Sequence, residues 1–286
     1  FFKQKTAYEM CGRDWSSDVC SSDLGLMTGS EGLLGVITEV TVKILKSPEV
    51  AKAALIGFSS IEDAGRCVSE IIAKGIIPAG MEIMDKALTK ATNDYCKAGY
   101  PVDAEAMMIV ELDGTESEVN ELINRVEEIA KKNKCSSVKI SKSNEERLKF
   151  WAGRKAAFPA CGDLAPDYMC MDGSIPKGKL AEVLKEIQKM SDKYQLPVAN
   201  AFHAGDGNLH PLIMFNANDP DQMRRTEEFG SEILKYCVKV GGALTGEHGV
   251  GIEKRELMCE AFNDTDIQQQ LDRKSTRLNS SHVRTS

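Results

Sequence analysis

The chain has 286 residues, 28% of them charged, and a formal net charge of −7. An acidic chain with no basic stripe argues against nucleic acid as a partner, and no apolar run is long enough to span a bilayer. The cysteines are scattered and form no CxxC pair, which points to a reducing compartment rather than a disulfide framework.

The two ends read apart from the rest. Back-translated, residues 14–23 (DWSSDVCSSD) give the antisense of codons for residues 272–281 (DRKSTRLNSS), a relation that no fold requires and that resembles translated sequencing adapter. Residues 1–24 and 272–286 are therefore expected to be non-native. The first piece holds one acid more than its bases and the second three bases more than its acid, so the remainder carries −9. Seven cysteines and three histidines remain: His203, His210 and His248.

Residues 28–35 (TGSEGLLG) form a Gly-rich loop, followed by a strand pattern with Val36, Thr38, Val40, Val42 and Ile44 on one face. Ser47-Pro48 then marks a boundary between 25–46 and 47–271. Beyond it, strands and helices alternate. The spacing predicts strands over 53–58, 107–112, 137–140, 198–203 and 209–215. It predicts helices over 61–73, 116–133, from 144 into 150–158, over 179–193, and over 221–240. Thr115 and Glu118 have the spacing of a capping box for the second helix. This order predicts an α+β fold, an antiparallel sheet with helices on one face.

Two segments carry chemistry. In 200–211 (NAFHAGDGNLHP) a strand ends at His203, Asp206-Gly207-Asn208 supplies turn residues, and a second strand begins near Leu209. Such a hairpin brings His203 and His210 together at its closed end, and two imidazoles suit zinc, manganese or iron when a third, anionic ligand joins them. In 241–251 (GGALTGEHGVG) Glu247 and His248 sit between glycines. In an extended segment adjacent residues point oppositely, so Glu247 is expected on the metal and His248 toward a substrate. Arg154, in FWAGRK, has the geometry to clamp a carboxylate, and the 28–35 loop can offer backbone N–H groups to a phosphate. Each piece alone also has an ordinary reading: a satisfied strand histidine, a surface cation on a helix, a tight turn.

Taken together, TGSEGLLGVITEVTVKIL, FWAGRKAAFPACGDLAPDYMCMDGSIPKGKL, AFHAGDGNLHP and GGALTGEHGVGIEK resemble the FAD-linked oxidases of the glycolate oxidase and D-lactate dehydrogenase type, in the vanillyl-alcohol oxidase superfamily. The resemblance covers essentially all of 25–271. It implies a ferredoxin-like cap domain over 47–271, preceded at 25–46 by the last strand of a PCMH-type FAD-binding domain whose main part lies upstream. It implies FAD and a divalent metal as cofactors, with His203, His210 and Glu247 as metal ligands and His248 as the catalytic base. Arg154 becomes the substrate-carboxylate contact, and Gly29, Ser30, Glu31, Gly32 and Gly35 the loop near the flavin. The implied substrate is a 2-hydroxyacid, glycolate or D-lactate. The implied partner is an iron–sulfur or other electron-transfer subunit, and the implied location is the cytoplasm, with at most peripheral contact with the inner face of the membrane. Some relatives carry lysine where this chain has Cys170, two residues before Asp172. Two other readings remain: a non-redox flavoenzyme of the alkylglycerone-phosphate synthase kind, and a flavin-free metal-binding domain.

Overall fold

A computed structural model describes residue 25 and residues 27–271. The reading of 1–24 and 272–286 as non-native lies outside the described residues. The first half of the described chain runs β1 (Val50–Phe58), α1 (Ile61–Ala73), β2 (Gly80–Asp85), α2 (Lys86–Cys96), β3 (Ala106–Gly114), α3 (Glu116–Lys132) and β4 (Cys135–Ile140). These strands lie side by side in the order β4-β1-β3-β2, all antiparallel, which is the ferredoxin-like order. The second half adds α4 (Asn144–Lys155), β5 (Asp167–Cys170), β6 (Gly173–Ser174), α5 (Leu180–Tyr194), β7 (Val198–His203), β8 (Asn208–Phe215) and α6 (Pro220–Lys239). β7 pairs with the open edge of β2, β8 with β7, and β5 and β6 with β8, giving one eight-stranded sheet.

The long helices are amphipathic. α3 buries Val119, Ile123, Val126 and Ile129, and α5 buries Val183, Leu184, Ile187 and Met190. Ser60 accepts from the Asp63 amide to start α1, and Asp219 caps α6 ahead of Pro220, where a missing N–H costs nothing. The capping box expected at Thr115 does not form, because its side chain makes no cap hydrogen bond.

Helices cover both faces of the sheet, which corrects the expectation of one. Helices α1, α3, α5 and α6 pack over Ile56, Ile83, Met108, Val110, Phe202 and Ile213. The opposite face, with Leu55, Met84, Met107, Ile109, Ala201 and Leu212, is closed by α2 and α4 through Leu88, Phe150 and Trp151. The cause lies in the strands: residues 106–112 of β3 are all buried, so neither face can be left to water. Glu111 on β3 fixes α4 by accepting from Arg147 and from the Trp151 indole.

The strand expected over 36–44 is absent. Residues 33–48 form no regular element, and Val36, Val40 and Ile44 are exposed. An alternating pattern becomes a strand only where a neighbour supplies its hydrogen bonds, and no described strand lies beside this one. Among the described residues, no helix is long and apolar enough to cross a membrane.

Candidate active site

The site grows from the β7–β8 hairpin. The amides of Asp206 and Gly207 donate to the His203 carbonyl at 3.0 and 3.1 Å and close the turn. His203 lies opposite Asn208 and His210 opposite Ala201. That register sets the two histidines diagonally on the same face of the ribbon, with ring centroids 5.0 Å apart and planes nearly perpendicular.

The Glu247–His248 loop is brought to them by a residue that the sequence reading missed. Asp172 is fully buried and gathers this loop onto one carboxylate. It accepts from the Thr245 hydroxyl at 2.7 Å, from the amides of Gly246, Glu247 and His248, and from the buried Lys254 ammonium at 3.2 Å. Burial pushes this carboxyl up. His210, Thr245, the His248 amide and Lys254 together outweigh burial and hold it far below the usual carboxylate range. The loop therefore bends rather than running extended, and Glu247 and His248 do not point oppositely as expected. His248 Nε2 stands 4.0 Å from Glu247 Oε1, and the His248 ring stacks on His210 with centroids 5.3 Å apart.

Glu247 Oε1 lies 3.4 Å from His203 Nε2 and 3.2 Å from His210 Nε2. The donor atoms of His203, His210 and Glu247 all fall within 4.8 Å of one another. His210 is 3% exposed, and neither of its ring nitrogens has a hydrogen-bond partner. An orphaned buried imidazole beside a second imidazole and a carboxylate fits a divalent cation by donor type and by unmet bonding. The donor atoms of a second grouping, Asp172 with His210 and His248, also fall within 4.8 Å of one another. Its carboxylate oxygens are already committed to the amides and to Lys254, and Asp172 Oδ1 stands 3.6 Å from His210 Nε2, beyond hydrogen-bonding distance.

Arg154 is not a surface cation. It is 7% exposed, and its Nε and Nη2 both donate to Glu82 Oε2, at 3.1 and 3.0 Å. The other oxygen of Glu82 lies 2.6 Å from His203 Nδ1, and this contact raises the His203 pKa against the opposing effect of burial. Glu82 was also missed by the sequence reading, as was the whole β2–α2 unit that carries it.

The 28–35 loop lies against the His248 loop. Gly29 and Ser30 are half-buried, while Glu31, Gly32 and Gly35 are exposed. Gly29 and Gly249 meet backbone to backbone: a Cβ on Gly249, whose φ is +100°, would sit 2.0 Å from the Gly29 carbonyl oxygen. Only glycine allows that approach. A cleft of about 530 Å³ opens beside these loops, lined by Glu31, Tyr168, Met169, Cys170, Phe215, His248 and Glu253. Burial pushes the Cys170 thiol up to about 12, helped by the Asp172 charge, so this wall of the cleft is uncharged.

Residues 47–273 match the family model described as "FAD linked oxidases, C-terminal domain". The chain belongs to the FAD-linked oxidase family. This FAD-linked oxidase chain is 54% identical over 244 residues to the glycolate oxidase subunit GlcD of Escherichia coli K12, covering 85% of itself and 49% of that protein. It is 36% identical to GlcD of Bacillus subtilis, over 84% of the chain and 51% of the relative. The mitochondrial D-lactate dehydrogenase [cytochrome] 1 of Saccharomyces cerevisiae is 31% identical, over 85% of the chain and 42% of that protein. The chain thus spans about half the length of the curated relatives it matches. Among solved structures it resembles p-cresol methylhydroxylase with substrate bound, with a TM-score of 0.63 at 13% identity over 83% of the chain and 52% of the other. It likewise resembles the 4-ethylphenol oxidase of Gulosibacter chungangensis, with a TM-score of 0.61 at 12% identity over 84% of the chain and 53% of the other. At these identities the likeness concerns fold alone.

Proposed function

We propose that the chain is the substrate-domain part of a FAD-dependent 2-hydroxyacid dehydrogenase acting on glycolate or D-lactate, with a divalent metal held by His203, His210 and Glu247. The observation that carries this reading is His210, buried with both ring nitrogens unpartnered and 3.2 Å from Glu247 Oε1. When bound, the flavin supplies a two-electron acceptor and the metal a Lewis acid for the hydroxyl oxygen. Arg154, pre-oriented by Glu82, holds the substrate carboxylate so that the α-carbon is fixed in direction. His248 accepts the hydroxyl proton at Nε2, the nitrogen that faces Glu247. Gly29, Ser30, Glu31, Gly32 and Gly35 border the flavin, which agrees with the contact of their loop with the His248 loop. The relatives' designation as a subunit supports an electron-transfer partner.

The test uses the complete flavin-loaded enzyme. His248→Ala is expected to retain flavin while glycolate or D-lactate bleaches it at least about 100-fold more slowly. Bleaching at the wild-type rate would remove His248 from the mechanism.

A further inference from the structure

We propose that Glu82 is a positioning residue that aligns both parts of this site at once: it sets which nitrogen of His203 carries the proton, leaving the other free for the metal, and which edge of Arg154 faces the substrate. The proposal rests on the metal-centre reading above.

Glu82 sits in the middle of β2 as the direct cross-strand partner of His203. It is 6% exposed, so its charge has left water and must be met by specific partners. Those partners are the two residues to which separate roles were given. Oε1 lies 2.6 Å from His203 Nδ1, and Oε2 accepts from Arg154 Nε at 3.1 Å and Nη2 at 3.0 Å.

A carboxylate only accepts hydrogen bonds, so Nδ1 must carry a hydrogen. A neutral imidazole protonated at Nδ1 has its lone pair at Nε2. Nε2 is the nitrogen 3.4 Å from Glu247 Oε1, on the side of the candidate ligand cluster. Without Glu82 the ring is free to take the other tautomer, which turns an N–H toward the cation. On Arg154 the same carboxylate occupies the Nε–Nη2 edge. Among the described residues Nη1 has no hydrogen-bond partner, which leaves that end of the guanidinium for a ligand carboxylate. Remove Glu82, and a cation 7% exposed loses its counter-charge.

Glu82→Gln keeps the shape but cannot serve both partners. Its amide nitrogen either donates to His203 Nδ1, forcing the wrong tautomer, or turns toward Arg154 and repels it. The measurements are made on the full chain without substrate. Histidine ¹⁵N shifts report the His203 tautomer in the alkaline range where the ring is neutral, and equilibrium dialysis reports binding of Mn²⁺ alone. The wild type is expected to show His203 protonated at Nδ1. Glu82→Gln is expected to shift population to the Nε2-protonated form and to weaken Mn²⁺ binding by about 10–100-fold. A purely structural glutamate would change thermal stability and leave both readouts alone, and that result overturns the proposal. Should Glu82→Gln fail to fold, the wild type decides: Nε2-protonated His203 overturns the proposal. A wild-type chain that binds no Mn²⁺ overturns the metal-centre reading instead, and the tautomer measurement then decides the role of Glu82 by itself.

Discussion

Asp85, half-buried, and Asp172, fully buried, are carboxylates that tie one segment of backbone to another, at two different junctions of the sheet. Asp85 ends β2, accepts from the Leu88 amide at 2.9 Å to start α2, and accepts from the backbone and side-chain nitrogens of Asn200 on β7 at 2.6 and 2.9 Å. Asp172 accepts from three amides of the Glu247–His248 loop in much the same way. Burial pushes both upward, yet they finish on opposite sides of the usual carboxylate range. Asp85 has amide donors and no cation, and burial leaves it at about 6. Asp172 has the Thr245 hydroxyl and the Lys254 ammonium as well, and falls far below the usual range. At Asp85 the hydrogen bonds do not offset the loss of water, whereas at Asp172 the hydrogen bonds, with the Lys254 charge added to them, outweigh it. The junction that orients the candidate site is thus the one built to remain ionised.

Breaking the Asp172 junction is expected to have the largest effect. Asp172→Ala leaves Lys254 buried without a counter-charge and unties three amides of the loop. By urea denaturation it is expected to cost about 3–5 kcal/mol. Lys254→Met is expected to cost less, about 1–3 kcal/mol, because Asp172 keeps its other donors. If Asp172→Ala costs no more than an ordinary surface substitution, the loop is held by something else. The Asp85 junction is expected to show a smaller effect with a definite sign. The Asp85 carboxyl moves from 3.8 to about 6 on folding, so between those values the folded state binds the extra proton. Its contribution is fully present below the lower value and is lost as pH rises through the upper one. Stability is expected to fall with pH across that window by up to about 1.4 kcal/mol per unit, and Asp85→Asn is expected to flatten the slope. A slope unchanged in Asp85→Asn would contradict the assignment.

The sequence made some parts of this legible and hid others for physical reasons. The hairpin was readable because Asp206-Gly207 is turn chemistry between two apolar runs, and the register of that turn fixes where His203 and His210 point. The helices α3 and α5 were readable from a single buried stripe each. The β2–α2 unit was not: six strand residues and a helix with Thr89 and Thr92 on its buried side give little periodicity. With that unit went Glu82, an acid between Met81 and Ile83 whose partners are 72 and 121 residues away. Asp172 was flagged only as a landmark beside Cys170. Nothing local reveals that the donors it satisfies come from a loop more than 70 residues later. The 36–44 pattern misled in the opposite sense, since alternation records a capacity to pair and not the presence of a partner.

The metal centre is tested most directly by the divalent-ion content of the chain itself, measured after dialysis against Mn²⁺, for the wild type and for His210→Ala. The arrangement of His203, His210 and Glu247 predicts one bound ion per wild-type chain and none in the variant. A full equivalent retained by His210→Ala, or no bound ion in the wild type, would contradict it.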